Sequence, residues 1–463
     1  MLMALNVIKT IRVSPATIFS DDSASFSNLP LTFFDLHFMK SLPTQQVMFY
    51  KLTESSSSRE SFHSLILPKL ELSLSIVLRH YLPLAGCLSW EPKDPKPCIV
   101  VSKHDTVSLT IAETGLDFSF ASGNGIRPAT YLHPLIPELL TSDDLAAVIT
   151  LQITLFPNQG FCIGIASHHA VLDGKTLTMF IKSWAHICSL QEHNKPPLLP
   201  EDLTPCFDRT VLNILSGPET KMLELFLSLS KDNDDLRSLK LPPHKDISSD
   251  IVRATLELTP KQIEKLRERV KNESSLSPLE LHLSTFVISY AHVWTCMVKA
   301  RGGNANRPVH FVYAADFRHW LDPQVPTGYF GNCVFLISWF EYQARTFLGE
   351  NGFVKAVEIL SDSVKSLSSR GIKSICEDFV EGSKKMIPNA QIGSVAWSPQ
   401  FGLYESDFGW GRPAKTEVVS IDRNEAFAMS ERRDEPGGME IGVCLKKSEM
   451  DIFLSLFKNG LSD

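Results

Sequence analysis

The chain has 463 residues, 43% of them hydrophobic and 21% charged, a balance that excludes large-scale disorder and suits two domains of roughly 200 residues each. A formal net charge of −7 without blocks of like charge excludes the basic footprint of a nucleic-acid or anionic-membrane binder. The nine cysteines are scattered without a C-x-x-C pair, which predicts reduced thiols in a reducing compartment. At the N-terminus Lys9 and Arg12 interrupt the apolar residues too early for a secretory core, so a first strand is expected there. The tail Gly460-Leu461-Ser462-Asp463 matches no peroxisomal or retention signal, and the expected location is cytoplasmic.

Along the chain, Pro68 is expected to open a helix running to Tyr81, with Leu70, Leu74, Val77 and Leu78 on one face. Between Ala147 and Ala166 the runs VITLQITLF and FCIGIA read as two strands, separated by the breaker Pro157-Asn158-Gln159-Gly160. The second run delivers His168 and His169. Leu177, Phe180, Ile181, Trp184 and Cys188 then mark an amphipathic helix, so these histidines stand at a strand-to-helix junction. A proline-rich polar stretch follows, and it divides the chain into an N-terminal domain (1–190), a crossover (191–218) and a C-terminal domain (219–463).

In the second half, Thr259-Pro260-Lys261-Gln262 has the capping-box pattern, and Ser277-Pro278-Leu279-Glu280 repeats it ahead of a long helix carrying Leu283, Phe286, Val287, Tyr290, Trp294 and Val298. Strands are expected at HFVYAA, TEVVSI and MEIGVC, and a last helix over about Glu449 to Lys458. The alternation predicts a mixed α/β fold with a sheet and helices in each half.

Two strings carry the chemistry. His169 begins an HxxxD pattern ending at Asp173, and about 0.7 such matches arise by chance in a chain with this histidine and aspartate content. Its placement after a buried strand and before Gly174, where the backbone must turn, gives it weight. Asp407-Phe408-Gly409-Trp410-Gly411 is far rarer, at about 10⁻⁴ by chance. Gly409 and Gly411 free the backbone around Trp410, whose indole offers one N–H donor. That donor is a candidate for stabilising an oxyanion, and packing of an aromatic loop is the other reading of the same residues. A G-x-S-x-G elbow is lacking, and Gly123-Asn124-Gly125 has no leading strand, which sets aside serine hydrolase and dinucleotide-binding classes.

HHAVLDG (168–174) together with DFGWG (407–411) resembles the paired signatures of the BAHD acyl-CoA-dependent acyltransferases. YFGNC (329–333) is similar to the additional motif of its anthocyanin and flavonoid glucoside branch, which includes many malonyltransferases. The likeness extends through LPLTFFD (29–35), HYLPLAG (80–86), LFPNQG (155–160), LSTFVISYAHVWTC (283–296) and GGMEIGVCLKK (437–447).

The resemblance implies two similar-sized chloramphenicol acetyltransferase-like α/β domains with a solvent channel at their interface. It implies acyl-CoA as co-substrate, a phenolic glycoside as acceptor, a ternary complex, no bound cofactor or metal, and a monomer. His169 is then the general base, while Asp173 points away from the site and pairs with Arg318 for structure. Lys175, Thr285 and Asn332 become candidates for holding CoA or substrate, Lys175 for a malonyl carboxylate. The alternatives are a hydroxycinnamoyl donor, which needs an apolar slot, or a non-catalytic ligand-binding member. The chain departs from the family pattern in Phe38 for a tryptophan, Gln46 and Trp320 for arginines, and Trp397 to Gln400 for a small and a basic residue. The first two are read as packing changes, loss of the basic residue as weaker CoA-phosphate contact, and the added tryptophans as narrowing the channel or stacking on an aromatic acceptor.

Overall fold

Strands Ile149–Phe156 and Gly160–Ser167 are buried along their whole length, as apolar runs covered on both faces must be. They pair antiparallel across the turn at Asn158, whose φ of 62° suits an asparagine. A computed structural model of the chain describes residues 5–16, 28–53, 56–91, 93–190, 198–229, 237–243, 246–384, 387, 390–423 and 426–461. Within it these two strands occupy the middle of a six-stranded sheet, in the order Asn6–Val13, Val107–Glu113, Ile149–Phe156, Gly160–Ser167, Thr44–Lys51, Lys415–Val418.

A second sheet of seven strands runs in the order Val334–Gln343, Pro308–Asp316, Gln391–Ala396, Ala426–Glu431, Met439–Lys446, Ile251–Leu258, Arg127–Pro128. Each sheet takes its last strand from the other half of the chain: Lys415 pairs with Phe49, and Val252 with Pro128. The expected TEVVSI strand therefore belongs to the first sheet, and its second part, Ser420–Arg423, is a 3-10 turn. Glu417 fastens the exchange, accepting from Arg127 Nη2 at 2.6 Å, Arg253 Nη2 at 2.8 Å and Thr255 Oγ1 at 2.9 Å. Burial opposes its charge, but Arg253, Lys415 and Arg127 hold its carboxyl down to about 2.

The amphipathic helix after the histidines spans Gly174–Leu190 and packs under Leu67–His80, where Trp184 Nε1 donates to Ser73 Oγ at 3.0 Å. The latter helix starts earlier than Pro68 suggests. It continues a helical run from Arg59 through a π-helical segment at Phe62–Ile66, and that whole run has the length and composition to cross a membrane. Leu70, Leu74, Val77 and Leu78 are nonetheless fully buried in the protein core.

Thr259 and Gln262 cap Pro260–Glu273 reciprocally, as the sequence predicts. The second capping pattern does not nucleate the long helix. Glu280 does accept from Ser277 N at 2.8 Å, but the chain then runs irregularly and Thr285–Arg301 begins with Ser284 as its cap, leaving Leu283 outside. The last helix is Lys447–Asn459. One apolar core runs through both halves, with Phe33 stacked on Phe335 at 5.2 Å and Phe34 against Phe317 at 5.8 Å. Residues 191–197 of the expected crossover and 462–463 of the tail lie outside the described residues.

Candidate active site

Strand Gly160–Ser167 ends at the histidine pair, and Asp173 then caps the helix Gly174–Leu190 by accepting from Thr176 N at 2.9 Å through Oδ1. A carboxylate here also complements the positive helix end. Its other oxygen accepts from Arg318 Nη2 at 2.7 Å and Cys333 N at 3.1 Å. Burial opposes the charge, but Arg318 outweighs it and holds the Asp173 carboxyl below its usual range. Both oxygens are thus committed away from His169. Gly174 is required by close approach, because an added Cβ would meet the Phe401 ring at 2.5 Å.

His168 is fully buried, accepts from Ala170 N at 3.2 Å, and is carried down to about 4 by burial. His169 is half-buried: Nδ1 is enclosed without a protein partner, leaving Nε2 at the open edge of the ring. Its carbonyl accepts from Asn332 Nδ2 at 2.9 Å. Burial lowers its pKa below 6.5, and its own backbone carbonyl, the nearby Asp173 charge and the Asn332 side chain pull only partly the other way. The imidazole is therefore neutral at neutral pH, the form able to take a proton. Protonation as the pH falls through that lowered pKa removes the base. The acid limb of kcat/KM, which reports the free enzyme, is expected below pH 6.5, and a limb above pH 7 would contradict this environment.

YFGNC is the clasp of this site. Arg209, in the crossover, donates from Nη1 to Tyr329 Oη at 2.9 Å and to Asp35 Oδ2 at 2.7 Å. Gly331 adopts φ 134°, and a Cβ there would strike that guanidinium at 2.7 Å. Asn332 donates from both its backbone N and Nδ2 to Asp35 Oδ1 at 3.0 Å. Asp35 also accepts from Thr32 N and Oγ1 at 2.9 and 2.8 Å, so this wholly buried carboxylate is saturated by charged and polar donors. Asn332 is itself fully buried, which corrects its reading as a substrate contact: it is a strut between Asp35 and the His169 backbone.

DFGWG lies elsewhere. Trp410 meets Phe161 edge-on at 6.1 Å, and Phe161 is near the far end of the strand that delivers His169, about 20 Å away at 3.3 Å per residue. Gly409 likewise abuts Ser189, at the far end of the helix that follows Asp173. Trp410 is therefore too remote to donate to an oxyanion at His169. The motif is a brace instead: Asp407 Oδ1 accepts from Gly409 N and Gly411 N at 2.7 and 2.9 Å, and Phe408 packs on Trp184 and Tyr50 at 5.0 and 5.5 Å.

Lys175 is half-buried in the first helical turn and makes no hydrogen bond or ion pair among the described residues. Thr285 stands half-buried at the start of its helix in the second half. Phe38, Gln46 and Trp397 matter more than their reading as departures suggests. Phe38 lies flat on the His169 ring, centroids 4.0 Å apart. Gln46 is 1% exposed with neither amide atom partnered. Trp397 takes φ 67° and packs edge-on against Phe401 at 5.0 Å, the ring that fills the space over Gly174. Trp320 is exposed and leans on Phe317, and Gln400 is exposed.

The transferase family model matches residues 4–459. A BAHD acyltransferase of Arabidopsis thaliana is 57% identical over 98% of both chains. This chain belongs to the BAHD acyltransferases. Other Arabidopsis thaliana relatives are agmatine coumaroyltransferase, 55% identical over 98% of this chain and 99% of that one, and phenolic glucoside malonyltransferase 2, 52% identical over 99% and 100%. The fold of this BAHD acyltransferase matches the crystal structure of vinorine synthase with a TM-score of 0.69 at 17% identity, covering 98% of each chain. It matches F. graminearum TRI101 complexed with coenzyme A and T-2 mycotoxin with a TM-score of 0.64 at 16% identity, covering 92% and 96%. The BAHD enzyme is accordingly an α/β acyltransferase with two chloramphenicol acetyltransferase-like domains and acyl-CoA as co-substrate.

Proposed function

We propose that this enzyme transfers a malonyl group from malonyl-CoA to a hydroxyl of a phenolic, flavonoid or anthocyanin glucoside, with His169 as general base. The observation that carries the chemistry is an imidazole kept neutral by burial, open at Nε2, beside an aspartate already engaged by arginine. Nε2 takes the acceptor hydroxyl proton as the oxygen attacks the thioester carbonyl. The tetrahedral intermediate collapses with cleavage of the C–S bond, and the imidazolium returns its proton to the CoA sulfur. Oxygen thus gains the acyl group, sulfur gains the proton, and the histidine is regenerated.

Malonyl is favoured by Lys175, a cation two residues beyond Asp173 with no ion pair among the described residues, which suits a terminal carboxylate, and by the malonyltransferases among the relatives. Hydroxycinnamoyl transfer is the second reading. It is favoured by the unpartnered, buried Gln46 amide, which lies opposite Ile165 on the strand leading to His169, and by the coumaroyltransferase relative. Purified enzyme offered malonyl-, acetyl- and coumaroyl-CoA with phenolic glucosides and agmatine, scored by product mass, separates them. Malonyl esters are expected, and Lys175→Ala is expected to raise KM for malonyl-CoA about 10-fold or more while leaving that for acetyl-CoA unchanged. Coumaroyl esters or amides as the main product replace the malonyl reading, and ligand binding without transfer from any donor replaces catalysis with binding.

A further inference from the structure

A histidine that serves as a base is commonly oriented by a hydrogen bond to its second nitrogen. In His169 that restraint is weak: Nδ1 is enclosed with only its own carbonyl and the Asn332 side chain near it, neither in close hydrogen-bond geometry, and both Asp173 oxygens are spent on Thr176 N, Arg318 and Cys333 N. Asn332 donates to the His169 carbonyl and so fixes the backbone. The ring instead lies against Phe38, with centroids 4.0 Å apart and only 4° between the planes.

Phe38 is well held for this task. It is 3% exposed, and the His37 ring meets it edge-on at 4.8 Å and 81°. It lies one residue beyond His37, the C-cap of the short helix Phe33–Leu36 that contains Asp35. Asp35 therefore reaches His169 along two routes, to the backbone through Asn332 and to the ring through the segment bearing Phe38.

We propose that Phe38 is a positioning residue for the transfer reaction: its flat stack fixes the plane of the His169 imidazole, and hence the direction of Nε2. The proposal rests on the reading of His169 as general base. Stacking restrains the ring without supplying charge, so the imidazole stays a neutral acceptor, and the phenyl also keeps water from one ring face. The titratable and charged groups around the ring are His37 at the end of the short helix, His168 and Asp173 from its own loop, and Arg318, which Asp173 engages. None of them contacts Nδ1.

The test compares Phe38→Leu and Phe38→Met, which fill space without a flat face, with Phe38→Trp, which restores one. Phe38→Leu and Phe38→Met are expected to lower kcat about 10- to 100-fold with KM for acyl-CoA within about 2-fold, since loss of a near-attack alignment acts on the reacting step. Phe38→Trp is expected to recover most of the rate. In ring-labelled enzyme followed by NMR, the His169 resonances should lose their aromatic ring-current shift in the leucine and methionine variants and titrate closer to 6.5. Wild-type kcat in either aliphatic variant, or a tryptophan variant as slow as a folded aliphatic one, overturns the proposal. Full activity in His169→Ala would instead remove the general-base reading, while the NMR comparison would still test whether the stack orients the ring.

Discussion

Replacing His169 by alanine is expected to lower kcat about 10²- to 10⁴-fold, the range a positioned general base contributes, with KM for acyl-CoA little changed. An alcohol hydroxyl is a weak nucleophile at neutral pH, and among the described residues no second base is free to act beside His169. Asp173 is bound to Arg318, and His168 is fully buried with Nδ1 facing its own backbone. His37, carried down to about 3 by burial and by the neighbouring His169 charge, packs against Phe335 and Phe379 at 4.5 Å. The measurement is steady-state turnover of the folded variant, with circular dichroism and the thermal midpoint confirming the fold. A kcat within about 10-fold of wild type would place the base elsewhere. Unlike Asp173, His169 makes no ion pair among the described residues and its Nδ1 has no close hydrogen-bond partner there, so its loss should spare stability.

Much of this site is legible because its parts are local in sequence. The strand-turn-strand before His168 announces itself through two β-branched runs and a Pro-Asn-Gln-Gly breaker, and the helix after Asp173 through its 3.6-residue period. The pairing of Asp173 with Arg318 is legible only through family resemblance, since 145 residues separate them and no local pattern connects such a pair. What stayed hidden is also long-range. Asp35 joins Arg209 across 174 residues and Asn332 across 297, and the one local sign was a carboxylate set in the apolar run Phe33-Phe34-Asp35-Leu36. The exchanged strands were equally silent, because Lys415–Val418 and Arg127–Pro128 are too short for periodicity to say which sheet they join. The sequence leaves Trp410 open between donor and packing residue for a related reason. A rare motif shows that its residues matter, but not whether they touch substrate or, as here, secure the helix and strand that carry the base.

The ion pair behind the base gives the other large effect. Asp173→Asn should keep the helix cap, since an asparagine oxygen can still accept from Thr176 N, yet it removes the charge facing Arg318. Arg318 is 2% exposed, already has an unpartnered Nε, and would retain only Asp316 at 3.2 Å as an ionic partner. Stranding a buried guanidinium in this way costs about 3–5 kcal/mol, so a marked fall in the thermal midpoint and in soluble yield is expected, together with loss of rate as the His169 loop loosens. Arg318→Met should cost a comparable amount by leaving Asp173 with only backbone donors. Because the damage in each single variant is an unpaired charge, the Asp173→Asn/Arg318→Met double variant should be more stable than the sum of the two losses predicts. The contrary outcome is equally clear: an Asp173→Asn protein with a wild-type midpoint and greatly reduced turnover would mean that the carboxylate acts on the His169 imidazole itself. The geometry argues against that, because all three groups Asp173 binds lie outside the imidazole: the first turn of its own helix, Arg318 and the Cys333 backbone.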